Sequence, residues 1–227
     1  MKEKYLIIHA DDFGLTPGIS RGILHTMKTG VVSSASVIVT SPYVHDTQRL
    51  LSDNPDRDWG LHVCVVRNGK KPTEKDVMYE TKRQVGMFMK RFGFMPTHID
   101  FHKGFKFSNR IYFAVRMFTM ANKIAFRYDN MHAVDTGFYG LKNNKATTED
   151  IGIQKLVQSI NSLGTGITEL VCHPGWTNNR LHDPYRMQRN IEVKTFTSTA
   201  IKKAIEQKRI VVINFTAYRS LIHEHRA

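Results

Sequence analysis

Cysteine is nearly absent from this chain: Cys64 and Cys172 are the only two among 227 residues. That excludes a disulfide framework. Both sit in apolar, strand-like runs and read as reduced core residues. Each stands beside a histidine (His62 and His173), which keeps a cysteine ligand or nucleophile as the alternative. Long apolar runs are missing too. None approaches the roughly 20 residues that span a bilayer, so no membrane partner is expected. The first residues lead straight into a strand without the apolar core of a signal peptide, and cytoplasmic residence is the expectation. Linkers, repeats and low-complexity tracts are missing, so residues 1–227 read as a single domain with one sizeable core. Acidic residues are in the minority, 20 Asp and Glu against 33 Lys and Arg, giving a formal net charge of +13. Such an excess suits nucleic acid, an anionic surface or a phosphorylated substrate. The basic residues are scattered in pairs, however, such as Lys70-Lys71, Lys90-Arg91 and Lys208-Arg209. No dense block or nucleic-acid motif stands out, and nucleic acid is not the expected partner.

What is present is ordinary in bulk, with 41% hydrophobic and 23% charged residues, and regular in pattern. Strand-like runs at 5–8, 31–39, 59–66, 97–101, 125–128, 167–172 and 210–215 alternate with helix-like ones. The helical runs are 17–29, 41–51, 74–92, 109–122, 147–162 and 195–208, and 129–144 reads as irregular. About seven βα alternations argue an α/β fold with parallel strands, either a barrel or a doubly wound sheet. The length suits a compact or slightly incomplete barrel.

The sharpest local feature is Ile7-Ile8-His9-Ala10-Asp11-Asp12-Phe13-Gly14, an apolar run that ends in two adjacent carboxylates. Neighbours on a strand point to opposite faces, so both carboxylates can enter one site only where the strand gives way. An Asx turn capping the next helix is the plain alternative. Other strand ends carry similar chemistry. His62 lies in Gly60-Leu61-His62, while His98, Asp100 and His102 alternate along one extended face, and His173 ends Val171-Cys172-His173-Pro174-Gly175. Each has a structural explanation on its own, as a hydrogen-bonded core histidine or a polar face. Together they place Asp and His at the C-terminal ends of parallel strands, where a barrel builds its site. Two imidazoles and a carboxylate suit a catalytic divalent metal, and a second carboxylate can take a proton. A metal-dependent hydrolase is the reading from chemistry alone.

These motifs, Ala10-Asp11-Asp12-Phe13-Gly14, Gly60-Leu61-His62, Pro96 to His102 and Cys172-His173-Pro174-Gly175, resemble the YdjC-like carbohydrate deacetylase family in the same order. Thr197-Ser198 before the last helix and strand also fits, so the resemblance runs from about residue 4 to 216. It implies a single-domain distorted (β/α) barrel of about seven parallel strands, similar to polysaccharide deacetylases. It further implies removal of acetyl groups from N-acetylated sugars, such as a chitooligosaccharide, with a divalent metal, magnesium or zinc. By resemblance Asp12, His62 and His102 are the metal ligands, Asp11 the general base that activates water, and His173 the acid that protonates the leaving amine. His98 and Asp100 would orient ligands. Arg127 would orient Asp11 or contact substrate, with a structural ion pair as its alternative. Trp176 would line the sugar pocket or pack its own loop. The expected partner is a small carbohydrate, with room for a homodimer.

Two departures bear on the substrate. Phe101 replaces the family's usual serine, and Gly104 and Lys106 stand where histidines are usual. The stretch from residue 66 to 95 is also shorter than the usual substrate-covering insertion. An altered pocket is therefore expected, with Lys103 and Lys106 suiting an anionic or phosphorylated sugar. The alternatives carried forward are a phosphoester hydrolase on the same scaffold and a non-catalytic nucleic-acid-binding protein.

Overall fold

A computed structural model describes residues 3–65, 71–103, 107–129, 133–135, 137–142, 145–178 and 183–224. Eight parallel strands form one curved sheet. They are β1 (Lys4–Phe13), β2 (Ser34–Val37), β3 (Asp58–Val63), β4 (His98–Phe101), β5 (Ala125–Phe126), β6 (Ala133–Asp135), β9 (Gly166–Cys172) and β10 (Val211–Ile213). The order is β5-β4-β3-β2-β1-β9-β6, and β10 pairs only with Tyr5 to Ile7 of β1. No pairing among the described residues joins β5 to β6, so the barrel is open at that seam. A short antiparallel pair, β7 (Leu141–Lys142) and β8 (Lys145–Ala146), stands apart.

Helices α1 (Pro17–Thr29), α2 (Val44–Ser52), α3 (Glu74–Phe92), α4 (Asn109–Ala121), α5 (Ile153–Ser162), α6 (Arg186–Thr197), α7 (Thr199–Gln207) and α8 (Phe215–Glu224) accompany the strands. The period-2 rule divides each strand between two environments. Leu6, Ile8 and Ala10 face the helices in the main hydrophobic core, with Ala35, Val37, Leu61, Val63, Ile99 and Phe101. Their neighbours Ile7, His9, Asp11, Ser34, Ser36, His62, His98 and Asp100 face inward. At the barrel floor the interior is apolar, made of Ile7, Ala125, Ile167 and Ile213 with Phe215 and Tyr218 of α8. Above that floor it is polar and buried.

Capping explains several boundaries. Thr73 and Asp76 exchange bonds in a capping box at the start of α3, and Gly93 closes it at φ 82°. Ser198 ends α6 and caps α7, its side chain accepting from the Ala200 amide. That divides what the sequence read as one helix from 195 to 208. The run 210–215, read as a last strand, is strand only to Ile213. Asn214 accepts from the Ala217 amide, and Asp58 accepts from the Thr216 amide and hydroxyl, so a helix begins at Phe215. The stretch read as irregular also contains β6. Among the described residues no helix is long and apolar enough to cross a membrane.

Candidate metal centre

The two adjacent carboxylates enter the barrel together because β1 bulges. Its register with β2 runs His9 to Ser34 and Ala10 to Ala35, then resumes at Phe13 and Val37, with one extra residue on β1. Within the bulge Asp12 has φ 72°, a left-handed conformation that Asp tolerates better than most side chains. The strand thus continues to Phe13 instead of ending at Ile8. The bulge, not the end of the strand, puts Asp11 and Asp12 on one side.

Asp12 Oδ1 lies 3.4 Å from His62 Nε2 and 3.2 Å from His102 Nδ1, and the two ring nitrogens are 3.2 Å apart. Atoms about 2.0–2.2 Å from a shared ion stand roughly 2.8–3.6 Å from one another at octahedral to tetrahedral angles. The three donors therefore fit one divalent cation. His62 Nδ1 donates to Asp100 Oδ1 at 2.6 Å, which fixes the tautomer and leaves Nε2 turned toward Asp12. Burial disfavours a charge on His62, but Asp100 and Asp11 outweigh it and hold the ring well above the usual histidine range. A positive charge at Nε2 is thus electrostatically favoured, and a divalent ion would supply it in place of a proton.

Two other trios of ligand-type side chains converge nearby, His9 with His98 and Asp100, and Asp11 with His62 and Asp100. Both include Asp100, which faces Arg127 Nη2 at 2.9 Å. There both Asp100 oxygens are already engaged, Oδ1 with His62 and Oδ2 with Arg127, whereas Asp12 meets Arg189 through Oδ2 and keeps Oδ1 for His62 and His102, which makes Asp12, His62 and His102 the favourable set.

Arg127 is itself buried among three carboxylates. Its Nη2 donates to Asp11 Oδ1 at 2.7 Å and its Nε to Glu169 Oε1 at 2.6 Å, besides the contact with Asp100. Burial pushes the Asp11 carboxyl up, yet Arg127 and then His62 pull it well below the usual carboxylate range. Asp12 is likewise low, its burial outweighed by hydrogen bonds from His102 and His62 and by Arg189. His9 lies between Asp11 (3.3 Å) and Asp100 (3.0 Å), with Ser34 at 2.8 Å on its other nitrogen. It was legible as an inward residue, two positions from Ile7 and two from Asp11, but its sequence carried no role.

His173 faces the same space, with Nε2 3.8 Å from Asp11 Oδ2. Burial, the largest influence, lowers its pKa. Its backbone is gripped at both ends by α6: Glu192 Oε2 accepts from the His173 amide at 2.5 Å, and Arg189 Nη1 donates to its carbonyl at 3.3 Å. Arg189 also donates to Asp12 Oδ2 at 2.7 Å and to Asp183 Oδ2 at 2.8 Å. Tyr185 donates to Glu192 Oε1 and stacks on Tyr139, whose half-exposed ring lies 5.6 Å from that of His173. The sequence conceals α6 because its buried side carries Gln188, Arg189 and Glu192, residue types usual on a solvated face.

Other expected site residues lie elsewhere. His98 sits lower in the barrel, near Thr97 and Asp58 through Nδ1 and stacked on Phe215 at 4.0 Å. It reaches none of the three donors; His102 joins them only because β4 has ended at Phe101. Trp176 packs against His25 of α1, 5.2 Å between rings. Phe101 is in the outer core, edge-on to Phe107. Gly104 and Lys106 lie outside the described residues. Burial raises both thiols, Cys64 and Cys172, and the Cys172 thiol donates to the His9 carbonyl at 3.2 Å.

Comparison with known proteins gives a consistent set. The family model described as YdjC-like protein matches residues 5–207. A chitooligosaccharide deacetylase of Klebsiella pneumoniae is 27% identical, covering 91% of this chain and 96% of the relative. A carbohydrate deacetylase of Enterococcus faecalis is 29% identical, covering 95% and 98%. Among solved structures, an Enterococcus faecalis protein described as a candidate for cellobiose-phosphate cleavage superposes with a TM-score of 0.81 at 23% identity, covering 95% of this chain and 99% of that one. The catalytic domain of a peptidoglycan N-acetylglucosamine deacetylase from Eubacterium rectale gives 0.59 at 15%, covering 93% and 88%. The last two likenesses establish the fold.

Proposed function

This chain belongs to the YdjC-like protein family, and from that premise we propose that it is a divalent-metal-dependent hydrolase that removes acetyl groups from N-acetylated sugars. A chitooligosaccharide or a related N-acetylglucosamine carbohydrate is the substrate class that its deacetylase relatives support. One observation carries the reading: Asp12, His62 and His102 converge to 3.2–3.4 Å while Asp11, pinned by Arg127, stands beside them with an ionised carboxylate.

Asp12, His62 and His102 would hold the ion, and two nitrogen donors favour zinc over magnesium. When bound, that ion makes water more acidic and polarises the acetamide carbonyl. Asp11 accepts the proton as water adds to the carbonyl carbon, and Arg127 keeps it ionised for that step. His173, with Nε2 3.8 Å from Asp11 Oδ2, protonates the leaving nitrogen as the C–N bond breaks. The products are acetate and a free amine. Asp100 fixes His62, while Glu192 and Arg189 fix the backbone of His173. Tyr139 offers a half-exposed aromatic face to a sugar ring beside the acid. The unpaired Cys64 and Cys172 accord with a reducing, cytoplasmic setting.

The test is release of acetate and amine in equal amounts from N-acetyl chitooligosaccharides, abolished by a chelator and restored by added zinc. A parallel panel of phosphoesters covers the second reading. Phosphate release without acetate would replace this proposal with a phosphoester hydrolase on the same scaffold. Metal-free protein with salt-sensitive binding to DNA or RNA would replace it with a non-catalytic role.

A further inference from the structure

The metal ligand Asp12 uses its two oxygens differently. Oδ1 faces the two imidazoles, and Oδ2 receives Arg189 Nη2 at 2.7 Å. Arg189 is itself anchored: Nε donates to Asp183 Oδ2 at 2.8 Å, Nη1 to the His173 carbonyl at 3.3 Å, and the guanidinium lies 5.8 Å from the centre of the Tyr185 ring. Its side chain is 5% exposed, so these bonds act in a low-dielectric setting. A positive charge so near a cation site opposes cation binding, and affinity alone gives no reason for it. A carboxylate bound through one oxygen occupies one coordination position, and through both oxygens it occupies two.

We propose that Arg189 is a positioning residue that restricts Asp12 to one-oxygen coordination, keeping the cation's remaining positions open, and that ties this ligand to the candidate acid His173 through α6. The inference rests on the metal reading above. Arg189 fixes the number of protein donor atoms, and Glu192, one turn further along the same helix face, grips the other side of the His173 peptide at 2.5 Å. One helix therefore sets the spacing between the ligand and the acid.

The test uses Co(II) as the probe, titrated into metal-free protein while its visible absorption is followed. For Arg189→Met, Co(II) affinity should be retained, because a repelling charge has gone and a second oxygen is free. The Co(II) absorption should weaken as the coordination number rises, and kcat should fall about 10–100-fold with little change in KM. Arg189→Lys should recover part of both signals. If Arg189→Met does not fold, Asp183→Asn decides: loosening the guanidinium should shift the spectrum in the same direction by less. A Co(II) spectrum and kcat unchanged in a folded Arg189→Met, or unchanged in Asp183→Asn where Arg189→Met fails to fold, would overturn the inference. Wild-type protein that takes up no Co(II) would instead overturn the metal reading itself.

Discussion

Glu192 is fully buried, and its environment ties the stability of the protein to pH. Burial, the largest cause, pushes its carboxyl from an ordinary 4.5 up to about 7, against the hydrogen bonds from Tyr185 and the His173 amide. Between those values the unfolded chain has lost the proton that the folded chain keeps. Folding therefore binds a proton in that window, and stability must fall as pH rises. The contribution is fully present below about pH 4.5 and is lost as pH passes through about 7. A separation of about 2.5 pKa corresponds to about 3 kcal/mol as an upper bound. Glu192→Gln has nearly the same shape, keeps a carbonyl oxygen for the His173 amide and cannot ionise. Urea unfolding of both proteins at about pH 4.5 and about pH 8 isolates the group. The wild type should lose about 3 kcal/mol more than Glu192→Gln across that range. Stability curves that run parallel for the two proteins would refute the argument, because Glu192 would then titrate alike in both states.

Asp11→Asn should reduce acetate release by about 10²–10⁴-fold while leaving bound metal unchanged, as measured by turnover beside elemental analysis. Turnover that survives would show another group to be the base. Gly60→Ala would place a methyl group where the His98 ring lies against the Gly60 backbone. Its urea midpoint should fall by the equivalent of about 1–3 kcal/mol of overpacking. Arg127→Met strands Asp11, Asp100 and Glu169 in the barrel interior, and chemical denaturation should show a loss of about 3–5 kcal/mol.

The strands and the inward histidines were legible because a parallel strand has a simple period. Alternation in His98-Ile99-Asp100-Phe101 separates barrel interior from helix layer, and the structure keeps that division. It fails where the backbone departs from the period. The bulge at Asp12 turns two opposed carboxylates to one side, and only the glycine and the second acid after Asp11 hint at it. It fails again where polar residues are buried. Gln188, Arg189 and Glu192 look like a solvated helix face, yet all three are buried, and Arg189 and Glu192 hold Asp12 and the His173 backbone. The last helix was hidden because Val211-Val212-Ile213 continues into Asn214-Phe215 without a visible break. Its cap, Asn214 followed by Thr216, was the available signal. Trp176 reads in the sequence as lining a sugar pocket or packing its own loop; its amide donates to the Gly18 carbonyl and its half-exposed ring lies against His25 of α1.

The central claim is that Asp12, His62 and His102 hold a divalent ion. Metal-free wild type and Asp12→Ala, each incubated with zinc and passed through gel filtration, put that claim to a direct count by elemental analysis. Wild type should retain a single zinc per chain and the variant essentially none. Equal retention by both proteins, or by neither, would contradict it.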